Sequence, residues 1–275
     1  MSLYRAGLLF FLFFWIGRSA AIAQGCVSIN NNAVINFACG INCGNVNLQV
    51  PDLRTTSDYT ISTIPYNPYA YTTILGNELS SLYVDDIYSE KITLPFPFCF
   101  YDSVFSKVVV GSNGLITFDT ANTSCFNAWT ITPTIPYAGG GVCGSSGQNT
   151  AYYPRASIMA NFSDLNPNAA SSAPDRKIEW RVEGNAPCRR FIASFYHVGV
   201  FGNTCGVGTP TTFQMVIYES TAIIEVFIEQ KSCQSSTTGG RAILGIQDWT
   251  QNRALAATGK NATVWTAQNL SLIHI

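Results

Sequence analysis

Chemistry at neutral pH needs a base, a nucleophile or a set of metal ligands, and this sequence offers few of each. It has two histidines. His197 lies in "FIASFYHVGVF", in the alternating row that also carries Phe191, Ala193 and Phe195. That pattern places it as a packed or rim side chain of a strand, not as a general base. His274 stands among the last five residues. Glu225 and Glu229 have the residue type of a glycosidase pair, but they alternate with Ile224, Val226 and Ile228 and are expected on the solvated face of a strand. No G-x-S-x-G elbow, Walker loop or H-E-x-x-H occurs. Gly206-Val207-Gly208 lacks the strand–turn–helix setting of a nucleotide site and reads as a loop. No catalytic residue is expected.

Metal chemistry leaves two openings. Asp85, Asp86, Asp164 and Asp175, with Asp119, fall at strand ends or in turns, where oxygen ligands for calcium gather; turn propensity accounts for them equally well. Calcium is therefore the one cofactor left open, and none is required. Nine cysteines are present, and only Cys39-x₃-Cys43 approaches zinc-ligand spacing. In an exported chain scattered cysteines read as disulfides. The candidates are Cys39, Cys43, Cys99, Cys125, Cys143, Cys188, Cys205 and Cys233, with Cys26 close behind the leader. An odd count leaves one cysteine free, lipidated or paired outside the chain.

Export is written into the N-terminus. Arg5 precedes an apolar run from Ala6 to Ile16, and Ala21-Ile22-Ala23 precedes Gln24. A basic start, a short apolar core and a small-x-small exit describe a secretory signal peptide over 1–23. The run is too short for a spanning helix. "AQGC" supplies a minority reading as a lipoprotein signal ending at Cys26, against which Ala23 stands where leucine is usual. Without the leader, 13 basic residues face 16 acidic ones. That balance offers nothing for counterion-driven binding to nucleic acid.

The remainder must be built from strands. Charged residues are 11% of the chain and hydrophobic ones 47%, with β-branched and aromatic types prominent. A polar, cysteine-containing segment over 24–58 leads into this region. "RKIEWRVEG" sets Ile178, Trp180 and Val182 on one face and Lys177, Glu179, Arg181 and Glu183 on the other, the mark of a half-buried antiparallel strand. Thr212–Glu219 and Ala222–Gln230 form a hairpin about Ser220-Thr221, in a register where facing residue numbers sum to about 441. Cys205 and Cys233 then come to its open end and are expected to pair; the alternative is Cys188 with Cys205. Lys107–Val110 and Leu115–Asp119 flank Gly111-Ser112-Asn113-Gly114. A positive φ is expected at Gly114, and Asn113 is the other residue there suited to one. Pro95 and Pro97 stiffen an edge strand. "FIASFYHVGVF" and "RAILGIQDW" add two more strands. The aromatics of "YNPYAY" could stack on a sugar, but a cover for the sheet is the plainer reading. The architecture expected is all-β, an antiparallel β-sandwich with long disulfide-tied loops.

The order of several pieces resembles a nidogen-like extracellular β domain. They are "LPFPFCFYDSVFSKVVVGSNGLITFD", "ASIMANFSDLNP", "CRRFIASFYHVGVFG", "TFQMVIYESTAIIEVFIEQ" and "AILGIQD". The stretch Tyr59–Pro68, the Asp85–Ser89 element and Ala186–Arg189 are similar, more closely, to the N-terminal module of large secreted surface proteins of Bacteroidetes. The resemblance spans roughly Tyr59 to Gln268, within a domain placed at 59–270. It implies continuation into PKD repeats and a gliding-motility-type sorting domain for type IX secretion. Residues 271–275 are set apart as a non-native or truncated tail. The family carries no catalytic residues to transfer. A non-enzymatic adhesion or structural module, secreted or at the cell surface, is expected. Its partner would be an extracellular protein or glycan, with no nucleic acid and no membrane span. The alternative is a carbohydrate-binding or accessory module of a secreted polysaccharide-degrading enzyme.

Overall fold

Alternating apolar residues over most of the chain dictate strands that bury one side, and two such layers close over each other. A computed structural model describes residues 56–139, 152–202, 210–232, 235–236 and 239–275. Fourteen strands run through them: β1 (Ile61–Thr63), β2 (Asn77–Glu78), β3 (Ile92–Phe100), β4 (Ser103–Gly111), β5 (Leu115–Thr117), β6 (Ser157–Phe162), β7 (Lys177–Glu183), β8 (Arg190–Val198), β9 (Thr211–Tyr218), β10 (Ile224–Lys231), β11 (Arg241–Gln247), β12 (Ala254–Ala256), β13 (Thr263–Val264) and β14 (Ala267–His274). Two short 3₁₀ turns, Ser80–Leu82 and Thr120–Asn122, are the helical segments among the described residues.

All strand pairs are antiparallel. One sheet is ordered β1-β14-β10-β9-β8-β7-β2, the other β12-β11-β6-β5-β4-β3, with β13 also pairing β11. In the β9–β10 hairpin Ile224 faces Ile217 and Val226 faces Met215, the register read from the sequence. Between the sheets lies one buried cluster. It takes Phe96, Phe98, Val108, Val110, Ile116 and Ile158 from one layer and Ile178, Phe191, Phe195, Phe213, Met215 and Val226 from the other. Leu272 and Ile273, within the segment set apart as a tail, are buried in β14, which pairs β1 and β10.

Both outer faces are covered as well. Tyr88, Val109, Leu115, Ile131, Tyr153, Met159 and Phe162 form a second cluster behind one sheet. Behind the other, Ile64, Tyr66, Tyr69 and Tyr218 pack on Ile192, Val216 and Phe227. The segment "IPYNPYAY" is thus a strap across a sheet face. Its hydroxyls pair inward, Tyr66 with Tyr71 at 2.7 Å and Tyr69 with Tyr218 at 2.8 Å.

The strap corrects the expectation of a solvated polar row on β7. Glu179 is 0% exposed and Arg181 4%. Glu179 accepts from Thr73 N at 3.1 Å and is bridged by Lys177 at 2.6 Å and Arg181 at 3.2 Å. Arg181 also donates to Ala70 O at 2.6 Å and reaches Glu183 at 2.7 Å. A buried charge must be paired, and this network is what permits the row to go under the strap. Glu225 differs from expectation in the same way. It is half-buried and accepts from the Tyr218 hydroxyl at 2.5 Å, and burial raises its pKa.

Candidate functional site

Among the described residues, one group of three carboxylates lies close together, beside the β4–β5 turn. Gly111 faces Leu115, so Ser112, Asn113 and Gly114 make the connection. Gly114 takes φ +85°, whereas Asn113 is not among the residues with positive φ. Asn113 serves the turn with its side chain, which is fully buried. Its amide nitrogen donates to Asp86 Oδ1 at 2.8 Å and to Asn127 O at 2.9 Å, and its Oδ1 accepts from Leu165 N at 2.9 Å. One side chain thereby joins three segments: the turn, the Asp85–Ser89 stretch and the chain leaving β6.

That junction assembles Asp85, Asp86 and Asp164, whose carboxylate oxygens lie within 4.8 Å of one another. Asp86 adopts φ +57°, a conformation Asp tolerates better than most residues. Its carbonyl accepts from Asn127 N at 2.9 Å. Asp164 is 2% exposed and accepts from the Ser235 hydroxyl at 2.9 Å. Asp85 Oδ1 is buried and has no hydrogen-bond partner among the described residues. Burial, followed by the charge of Asp164, pushes the Asp85 carboxyl up to about 6. Asp86 is pushed up to about 7, by burial first; the Asn113 amide pulls it down, and Asp85 and Asp164 push it further up. Carboxylate oxygens are the ligand type calcium takes, about six to eight at a time; Asp85, Asp86 and Asp164 could supply three of them.

The other sequence candidates go elsewhere. Asp175 is not in the cluster; its Oδ1 lies 2.9 Å from His197 Nδ1, and this partner lowers its pKa. Asp119 accepts from Ala121 N at 3.1 Å as the cap of a 3₁₀ turn. A bulge between Phe195 and Val198 gives His197 φ +55°. The ring therefore leaves the packed row and lies part-exposed beside Asp175. Among the described residues no serine, threonine or cysteine side chain donates to that ring.

Cys99 corrects another expectation. It is a free, buried thiol. Its Sγ accepts from Thr56 N at 3.3 Å and donates to Tyr101 O at 3.3 Å. As a free thiol Cys99 leaves the disulfide candidates. Cys125 and Cys188 are disulfide-bonded. Cys26, Cys39, Cys43, Cys143, Cys205 and Cys233 lie outside the described residues, and with them the Cys205–Cys233 pairing.

Sequence reasoning missed the Glu179–Arg181 network and the bracing role of Asn113. A signal for the first was present: the tyrosine- and proline-rich strap needs a face to lie on.

Taken together, the fold and its polar junctions define an all-β domain of two antiparallel sheets with covered outer faces. The chain belongs to the nidogen-related family, described as NIDO related, which matches residues 58–274. No curated protein and no solved structure matches it. Among the described residues no helix is long and apolar enough to cross a membrane.

Proposed function

We propose that this chain is a non-enzymatic module of a secreted or cell-surface adhesion or structural protein. The observation that carries the reading is its membership of the nidogen-related family over residues 58–274, a domain type of extracellular context. The signal-like N-terminus and the nine cysteines agree with it. So does the engagement of acidic side chains in structure: Glu179 with Lys177 and Arg181, Glu219 with Arg189, Glu225 with Tyr218. The finer reading, an N-terminal module of a larger Bacteroidetes-type surface protein with disulfide-tied loops, rests on the motif order alone. Fold likeness by itself assigns no ligand.

The test sets binding against turnover. Purified protein is presented to arrays of extracellular glycans and proteins, and separately to polysaccharide, ester and peptide substrates. Saturable binding without turnover is expected. Turnover abolished by replacing Glu225, Glu229 or His197 would overturn the reading and favour the polysaccharide-degrading alternative.

A further inference from the structure

Sheet edges are where a β domain is open to other chains, because the outermost strand leaves backbone donors and acceptors unpaired. Among the described residues, three of the four sheet edges are guarded. β3 carries exposed Pro95 and Pro97, and its register is irregular between Thr93 and Phe98. β1 is continued by Ile64, whose N–H donates to Ser271 O on β14 at 3.3 Å, and β12 is supplemented by β13, which pairs the other end of β11. The fourth edge strand is β2, two residues long, and it guards β7 incompletely.

β2 covers β7 only through Asn77 opposite Trp180 and Glu78 opposite Glu179. Leu79 N donates to Ile178 O at 2.8 Å, so the backbone groups of Ile178 point toward β2. By the two-residue alternation of an antiparallel ladder, those of Trp180 and Val182 do too. The register continued would set Leu75 opposite Val182. Instead the chain turns away at Gly76, whose N–H bonds Thr73 O at 3.4 Å. No hydrogen bond from a described residue reaches the outward backbone of Val182. The wedge left between the two segments is a cleft of about 330 Å³ lined by Thr73, Leu75, Asn77, Trp180, Arg181, Val182 and Glu183.

Its chemistry selects its occupant. Leu75, 83% exposed, stands at one wall next to fully exposed Ile74 in the chain, with half-buried Trp180 and Val182 at the other wall. Every charge lining the cleft is already matched: Arg181 by Glu179 and Glu183, and Glu183 also by Arg190 at 2.9 Å. A charged guest would find no counterion, so the complement is neutral. Unpaired backbone in extended conformation is satisfied by another extended backbone.

We propose that the outer edge of β7 at Arg181–Glu183 is a docking site for an extended, uncharged peptide segment of a partner protein. The segment adds to the sheet by pairing with Val182 and places an apolar side chain between Leu75 and Trp180. About three residues, some 10 Å of strand, make the contact. The site does not depend on the adhesion reading.

A displayed library of random heptapeptides selected on the whole chain supplies the probe. Peptides with neutral, alternately apolar sequences should be enriched on the wild type. Binding should fall at least tenfold on Val182→Pro, which removes the outward N–H, and on Leu75→Asp, which changes an exposed side chain. Exchange of the Val182 amide with deuterium should slow at least tenfold when the peptide is bound. No enrichment over the Leu75→Asp chain overturns the proposal, as does enrichment of peptides that Leu75→Asp still binds. If Val182→Pro does not fold, the wild-type amide decides, and unchanged exchange at Val182 refutes strand addition.

Discussion

Replacing Gly114 separates two costs that usually arrive together. Its φ of +85° is disfavoured for any side chain, a strain of about 1–2 kcal/mol. A Cβ there would also stand 2.3 Å from the carbonyl oxygen of Asn161 and 3.1 Å from the Phe213 ring. Retreat is blocked, because Gly114 O accepts from Ala160 N and Asn161 N at 3.3 Å and Gly114 N donates to Gly111 O at 3.1 Å. Moving the turn sacrifices at least one such bond, at about 1 kcal/mol or more, and disturbs packing against β6. Gly114→Ala should therefore cost about 3–5 kcal/mol, less up to about 1 kcal/mol regained by restricting the unfolded chain. Gly259 is the control: its φ is +71° and nothing lies within 4 Å of its Cβ position. Gly259→Ala should lose only the strain, about 1 kcal/mol after the same correction. Urea unfolding of both variants and the parent measures the difference. Losses equal within about 0.5 kcal/mol would show that the clash with Asn161 is not real and that the turn is free to move.

Three further outcomes are expected. Asp85 and Asp86 have folded pKa values of about 6 and 7, above their value of 3.8 in a free chain. The native state therefore binds protons more readily across that window, and this contribution to stability is full below about 3.8 and lost as pH rises through 6 to 7. Asp86→Asn should be stabilising at pH 8 and near neutral at pH 4, and calcium added at pH 8 should raise the unfolding midpoint of wild type more than that of the variant; a flat difference between the two chains across pH would refute the mutual repulsion. Alkylation of the chain unfolded without reductant should label Cys99 alone and leave the native chain unlabelled, while a disulfide peptide containing Cys99 would refute its assignment; in the same map a Cys205–Cys233 peptide is expected and a Cys188–Cys205 peptide would refute that pairing. Mass spectrometry of secreted protein should find Gln24 first, and a lipidated Cys26 would replace the signal-peptide reading with a lipoprotein.

The strands were legible wherever a residue's burial is settled by its immediate neighbours along the chain. Val108–Val110, Ile178, Ile224, Val226 and Ile228 alternate or run apolar, and they are buried as their pattern requires. What period two cannot reveal is a second cover. Lys177, Glu179, Arg181 and Glu183 have the composition of a wet face, and only the strap near Tyr66–Tyr71, some hundred residues earlier, puts Glu179 and Arg181 out of water. The same limit applies to the carboxylates. Asp85 and Asp86 are adjacent in sequence, but Asp164 joins them only because Asn113 ties the β4–β5 turn to both segments. Asp175, equally plausible by residue type, is removed by a bulge that turns His197 toward it. Bulges shift a strand by one residue and leave no mark in a pattern of apolar and polar positions.

Covering both outer faces also changes which surfaces remain for recognition. In a two-layer β domain with bare outer faces, a partner would meet broad sheet surfaces. Here those surfaces are occupied by Tyr153 and Ile131 on one side and by Tyr66 and Tyr69 on the other. Recognition is left to loops and edges. Edge protection by Pro95 and Pro97 on β3, against the two-residue guard on β7, then becomes a difference in kind. Proline cannot donate to an incoming strand, whereas Val182 still can. An exposed apolar pair such as Ile74 and Leu75 gives up no buried contact when replaced, so it adds little to folding stability; its placement beside an unpaired edge favours a role in association.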